Sequence, residues 1–213
     1  MKKIPYKSLA EDRATGEFTV KKSRFIGDLF LVHDEEEATE ALKIVQQEHR
    51  DATHICYAYI LNEDVEKMKS SDNGEPQGTA GAPILNALQK NELTNVLATV
   101  TRYFGGIKLG AGGLIRAYGK GVTVAIEEAN LAIYDFFTVA QIKVSYSDHD
   151  AVKYFLKQNE IPILDEQFSE VVTLQIQLKK SEADNFNNQL ANRFNGRYAL
   201  TVIAERILPT LIS

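Results

Sequence analysis

Apolar positions recur along this chain with two periods, and the periods alternate often enough to predict a mixture of short strands and helices. Residues 18–20 and 25–32 are rich in β-formers and read as strands. Ala38, Ala41, Leu42 and Val45 then follow helical spacing. The acidic run before them, Asp34-Glu35-Glu36-Glu37, reads as a helix start: Asp34 and Glu37 stand at capping-box spacing, and the acids favour the positive end of the dipole. His54–Leu61 alternates as a strand. Residues 84–90 form a short helix with Pro83 in its first turn and Thr79 or Ala82 as its cap, and 96–101 form a buried strand. A later helix carries Leu114, Ala117, Gly121, Val124 and Ala125 on one face.

The second half has cleaner alternation. Ile142, Val144 and Tyr146 interleave with polar residues as a strand, and Asp148 is placed to cap a helix bearing Val152, Phe155 and Leu156. Residues 161–168 and 171–178 form a hairpin, with Val172, Leu174, Ile176 and Leu178 on its buried face. Ser181 and Asp184 are placed to box a helix bearing Phe186, Leu190 and Phe194, which ends at Asn195-Gly196; a strand over 200–207 follows. The order β-α-β-β-α-β is that of a ferredoxin-like unit. Composition shifts at the same place: ten of the 13 glycines lie between Gly74 and Gly121, and none between Asp135 and Asp184. The expected domains are therefore 1–132 and 133–213 in an α+β protein.

Composition excludes more than it assigns. With 213 residues, 44% hydrophobic, the chain has enough material for a core without disulfide or metal staples. A lone Cys56 cannot build a disulfide framework, no apolar run suits a membrane span, and the basic start lacks an apolar signal core. The expectation is a cytoplasmic protein without membrane contact, of undetermined oligomeric state. The net charge of −5 argues against a protein that is basic throughout. Yet the window from Gly74 to Gly121 carries five Lys or Arg against two Glu, a local excess of 5 − 2 = 3 positive charges.

That window is where chemistry is expected. Two Gly-rich loops, 70–81 and 102–113, each run from a strand toward a helix, where unpaired N–H groups and the dipole favour an anion. Arg116 and Lys120 lie in the first turns of the second helix, against a dipole preference of about 0.3–1 kcal/mol. A sequence that accepts this cost has a use for cations there. The ligand-binding set is Arg102, Tyr103, Lys108, Gly110, Gly112, Gly113, Arg116 and Lys120; the facing loop is shaped by His54, Asp72, Gly74, Glu75 and Thr79. The loop is neither a Walker A, since Ala111-Gly112 stands where Lys-Ser/Thr is required, nor a Rossmann fingerprint. Leu109-Gly110-Ala111-Gly112-Gly113 matches the Gly-rich loop of the sugar- and mevalonate-type kinases distantly and lacks its Ser residues. Cys56 reads as a buried small residue, His33, His49 and His149 as surface residues, and Tyr57 and Phe104 as core; Tyr103 and Tyr118 stay open between core and base stacking. No catalytic residue, metal or cofactor is assigned.

Several segments together resemble the Impact/YigZ family, in its bacterial two-domain branch. They are Ser23-Arg24-Phe25-Ile26, Thr53-His54-Ile55-Cys56-Tyr57-Ala58-Tyr59, Ser71-Asp72-Asn73-Gly74-Glu75-Pro76-Gln77-Gly78-Thr79-Ala80-Gly81, Thr94-Asn95-Val96, and the stretch from Thr101-Arg102-Tyr103-Phe104-Gly105-Gly106 to Arg116-Ala117-Tyr118-Gly119. Ile55 departs from the family's Asn, which argues against a role for that side chain, and Asn73 from its frequent Asp, which argues against a paired-carboxylate metal site. The resemblance implies an N-terminal α/β two-layer domain of the ribosomal-protein and elongation-factor type, with a left-handed crossover, and a C-terminal ferredoxin-like βαββαβ domain. It also implies translation-linked regulation. Residues and resemblance together lead to a non-catalytic regulator that binds RNA, a ribosome-associated target or a translation-related protein through the basic Gly-rich cleft. The alternatives are a phosphate-ester or nucleotide-dependent enzyme using the same cleft, and a purely protein-binding regulator.

Overall fold

The computed structural model describes residues 4–62 and 66–212. Its elements are β1 (Tyr6–Leu9), β2 (Arg13–Val20), β3 (Ser23–Leu31), α1 (Glu35–Glu48), β4 (His54–Leu61), β5 (Lys67–Ser71), α2 (Gly81–Lys90), β6 (Val96–Tyr103), α3 (Ala111–Glu127), β7 (Leu131–Val144), α4 (His149–Gln158), β8 (Ile163–Phe168), β9 (Val172–Lys179), α5 (Lys180–Arg193) and β10 (Thr201–Leu211). The chain divides into two compact units. The first runs to Tyr134 and includes the chain from Pro209; the second is Asp135–Leu208. The end of the chain, expected in the second domain, thus belongs to the first unit, where the Ile212 N–H donates to the Leu131 carbonyl at 2.9 Å.

In the first unit an antiparallel sheet has the order β2-β3-β6-β4-β5. Alternation along β6 divides its side chains between two cores. Val96, Ala98 and Val100 pack with Ile84, Leu88, Leu114 and Tyr118 of α2 and α3. Leu97 points the other way, into a cluster with Ala38, Ala41 and Val45 of α1. The α/β class stands, but helices cover both faces, so the sheet is the middle of three layers and not one of two. That is why seven of the eight β6 residues are buried, polar Thr99 and Thr101 included.

Close backbone contact fixes α3 on this sheet. A Cβ on Gly27 would lie 1.9 Å from the Gly121 carbonyl oxygen, and one on Gly16 would lie 2.5 Å from that of Val124. Gly121, at the end of the Gly-rich window, serves the same packing, since a Cβ there would lie 2.8 Å from Val100 Cγ1. Asp34 caps α1 as its spacing predicts, accepting from the Glu37 N–H at 2.8 Å. The cap expected of Thr79 or Ala82 is absent: α2 begins at Gly81, and Ala80 gives it no side-chain cap.

The second unit is ferredoxin-like. β7 pairs with β9, β9 with β8, and β10 joins β7, so its four strands lie in the order β10-β7-β9-β8. Val172, Leu174, Ile176 and Leu178 face Val152, Leu156, Phe186 and Leu190 in one core. α5 ends in a Schellman turn: Asn195 and Gly196 have φ of 54° and 74°, and the Gly196 N–H reaches the Ala191 carbonyl at 2.7 Å. Two caps differ from expectation. Asp148 makes no side-chain cap and instead binds Arg197 and Tyr198, while α5 begins two residues early, so Ser181 and Asp184 form no box.

Candidate functional site

The first Gly-rich loop folds around its own carboxylate. Asp72 Oδ1 accepts from the Ala80 and Gly81 N–H groups at 2.9 Å each, and Oδ2 accepts from Gly78 at 2.8 Å. Burial works to raise the Asp72 pKa, but the three amides outweigh it and hold the group below the usual aspartate range. The start of α2 is thus already occupied by an internal anion. Thr79 is buried and its hydroxyl donates to the Pro76 carbonyl at 2.6 Å. Gly74 has φ of 90°, and a Cβ there would meet His54 Nδ1 at 3.0 Å, so glycine admits the imidazole. His54 Nδ1 in turn lies 3.1 Å from the Asn73 carbonyl.

Arg102 belongs to this internal framework. β6 continues through Tyr103, so Arg102 takes the inward face and not a loop. Its Nη1 meets Glu75 Oε1 at 2.6 Å with both side chains buried, and the Tyr118 hydroxyl donates to the same oxygen at 2.7 Å. The guanidinium carbon lies 5.6 Å from the Phe25 ring centroid and 5.3 Å from that of Phe104, and Nε is buried without an acceptor. Arg102 is therefore a strut and not a phosphate ligand. Tyr103 leaves the candidate set too: it points to the opposite face of β6, where its hydroxyl lies 2.9 Å from His49 Nδ1. That contact part-buries His49, and His149 similarly sits against Glu166 at 3.1 Å, so neither is the surface residue expected. Phe104 is exposed, against the expectation of core, and Tyr118 is wholly buried.

The groups open to acid–base or nucleophilic chemistry are engaged in the same way. Cys56 is fully buried and donates from Sγ to the Asp72 carbonyl at 2.8 Å; burial pushes the thiol up to about 12. Among the described residues no group of His, Cys, Asp or Glu is arranged to hold a metal ion, and no helix is long and apolar enough to cross a membrane.

The second Gly-rich loop is built differently. Gly110, with φ of 74°, delivers the chain into α3, and no side chain caps that helix. Its first N–H groups, from exposed Ala111 and Gly112 onward, have no partner within the helix. Lys108, Arg116 and Lys120 are exposed around this start, and Arg116 Nη1 folds back to 3.7 Å from where a Gly112 Cβ would stand. The β2–β3 hairpin adds two cations that sequence reasoning passed over. Val20 pairs with Ser23, which leaves Lys21 and Lys22 as a two-residue turn with φ of 46° and 62°. Asn-Gly is the usual choice for such a turn, and a left-handed conformation costs other residues about 1–2 kcal/mol each. A Cβ on Gly105 would lie 2.0 Å from the Lys22 carbonyl oxygen, so the loop after β6 rests directly on this lysine turn. The signal was present in the sequence as a lysine pair between two strand patterns.

Lys21, Lys22, Lys108, Arg116 and Lys120 form no ion pair among the described residues. Beside them opens a cavity of about 270 Å³, walled by Phe18, Val20, Leu109 and Ala117 and rimmed by Lys21, Arg116 and Lys120.

Comparison with known proteins places this geometry. Residues 21–126 match the Impact N-terminal domain, and residues 142–197 match a domain of unknown function, DUF1949. The IMPACT family member YvyE of Bacillus subtilis is 36% identical over 181 residues, 85% of this chain and 83% of that protein. The chain belongs to the Impact family. The family member YigZ of Escherichia coli is 34% identical over 188 residues, 87% of this chain and 92% of that protein. A crystal structure of a hypothetical protein is 32% identical with a TM-score of 0.60, covering 96% of this chain and 98% of the other. The Impact N-terminal match contains the lysine turn, both Gly-rich loops and almost all of α3.

Proposed function

We propose that this Impact family member is a non-catalytic, translation-associated regulator that binds the phosphates of RNA, alone or on a ribonucleoprotein surface. One observation carries the reading: Lys21, Arg116 and Lys120 rim one cavity beside α3, with Lys22 and Lys108 in the adjoining turns, all five exposed and without an ion pair among the described residues, in a chain whose net charge is −5. Phosphate oxygens are suited to such an edge, because amides, dipole and cations all favour the same sign. The engagement of Asp72, Glu75 and Cys56 in internal bonds favours binding over catalysis. Contacts of this kind position a backbone without reading bases, so sequence preference is low.

Fluorescence anisotropy against single-stranded RNA tests this. With five phosphates neutralised, log K falls against log[salt] with a slope of about −3.5. Arg116→Ala weakens all RNAs alike and reduces the slope by about 0.7. Affinity independent of salt, or unchanged in a variant that replaces all five cations by Ser, overturns the reading.

A further inference from the structure

The phosphate-binding edge has a recess that a phosphate does not need. A phosphate needs cations and amides, yet three of the cations here rim a hollow walled in part by the carbon of Phe18, Val20, Leu109 and Ala117. Its volume of about 270 Å³ lies just below the range of small-molecule sites and is too large for a bare anion. Phe18 forms part of its floor. Its ring is stacked on Phe25 at 5.3 Å and so is held from beneath by the core, while Lys120 Nζ lies 4.7 Å from its centroid. Gly113, which lines the wall, cannot carry a larger side chain: a Cβ there would come within 2.9 Å of Leu109 Cβ.

An aromatic floor of this kind, with cations on its rim, recognises a ligand with a planar, weakly polar body and an anionic head. We infer that the cavity takes one nucleotide: its base displaces Lys120 Nζ from over the Phe18 ring and lies there between Leu109 and Ala117, and its phosphate is held by Lys21, Arg116 and the displaced Lys120. Bases stack on aromatic side chains without regard to identity, so any of the common bases fits the chemistry. The strained turn agrees with this assignment. Lys21 sits on the rim in a left-handed conformation that costs stability, and strain of this kind is retained where a side chain has to be aimed. The site rests on the phosphate-binding reading, because the same cations serve both. The nucleotide comes from one of two sources, a free mononucleotide or one nucleotide of an RNA strand.

The chain has no tryptophan, so Phe18→Trp places a single fluorophore on the floor of the cavity. Titration with adenosine monophosphate, ribose 5-phosphate and hexa-adenylate then distinguishes the cases. The expected result is quenching by ligands that carry a base and none by ribose 5-phosphate. Tighter quenching by the hexamer, by tenfold or more in strand concentration, assigns the site to a strand; equal or tighter quenching by the monophosphate assigns it to free nucleotide. In the wild-type protein the amide resonances of Gly113 and Ala117 shift on adding the base-bearing ligand, which guards against misfolding of the variant. If neither quenching nor shifts occur while wild type still binds RNA with the steep salt dependence, the nucleotide site falls and the phosphate-binding edge stands. If RNA binding is missing as well, both fall.

Discussion

Glu75→Gln distinguishes an internal strut from a ligand-binding group. In the native chain the Arg102 and Glu75 side chains are 7% and 3% exposed and meet at 2.6 Å. The substitution keeps the shape but leaves a buried guanidinium facing a neutral amide. Removing one member of a buried pair costs about 3–5 kcal/mol, most of it the desolvation of the stranded charge. The amide oxygen still accepts one bond from Arg102 or Tyr118, so the lower end, about 3 kcal/mol, is expected. Arg102→Met strands the carboxylate instead, which has the escape of taking up a proton; a guanidinium has none. Changing both residues to Met removes both charges at similar volume and leaves the Tyr118 hydroxyl as the one unsatisfied group, a cost of about 1–3 kcal/mol. The double variant is therefore as stable as either single variant or more so. Urea unfolding followed by far-UV circular dichroism measures these differences, and RNA anisotropy on the same preparations measures binding. Arg102→Met should lower the urea midpoint and leave RNA affinity unaltered under native conditions. An unmoved midpoint together with a tenfold loss of RNA affinity would show that Arg102 is a surface ligand and that its burial has been misread.

Three further outcomes follow from the same geometry. Asp72 has a folded pKa below its unfolded value of about 4, so its stabilisation is full above that pH and is lost as pH falls through the folded value. Asp72→Asn keeps one acceptor oxygen but turns an amide nitrogen toward one of the three N–H groups, which costs about 1–3 kcal/mol at neutral pH, and the gap to wild type closes in acid; an equal gap at both extremes refutes the linkage. Replacing Lys21-Lys22 by Asn-Gly puts preferred residues into the turn, so thermal denaturation should show a gain of about 1–2 kcal/mol while the RNA salt slope shrinks toward about −2. A slope left at its original value would remove the turn from the binding edge. Cys56, with its thiol pushed up to about 12, should resist iodoacetamide in the native protein and react on unfolding; mass spectrometry showing equal rates in the two states would contradict its burial.

The fold was legible wherever a single period ran without interruption. Val172, Leu174, Ile176 and Leu178 alternate cleanly because one face of β9 meets helices and the other does not. The first unit was harder, because β3 and β6 are buried on both faces and show no alternation. That burial also hid the third layer: nothing local distinguishes a sheet covered once from a sheet covered twice. β5 is exposed along most of its length and reads as part of the polar loop that follows, and it becomes a strand through pairing with β4. Caps failed for a related reason. Asp72 serves the α2 start from nine residues away, and Asp148 is drawn to Arg197 and Tyr198 some fifty positions along the chain, so neither interaction lies within the window a capping rule inspects.

Face parity along β6 accounts for the largest misassignment at the site. Val100 packs with α2 and α3, and Arg102 follows it by two residues, so a strand that continues to Tyr103 carries the guanidinium inward. Ending the strand at Thr101 makes Arg102 a loop residue and frees it for a ligand; two residues of strand decide between the roles. The lysine turn shows in the sequence only as a pair between two strand patterns, and it is the hairpin that sets Lys21 and Lys22 against Gly105. Pairing marks the cations that serve the sheet itself. Arg13 has Asp28 and Glu48, Arg24 has Glu17, and Arg102 has Glu75, so this sheet supplies carboxylates where a cation is structural. The five beside α3 receive none among the described residues, in a chain of 29 acids against 24 Lys and Arg. The convergence of three of them, Lys21, Arg116 and Lys120, on one cavity is an arrangement suited to binding an external anion.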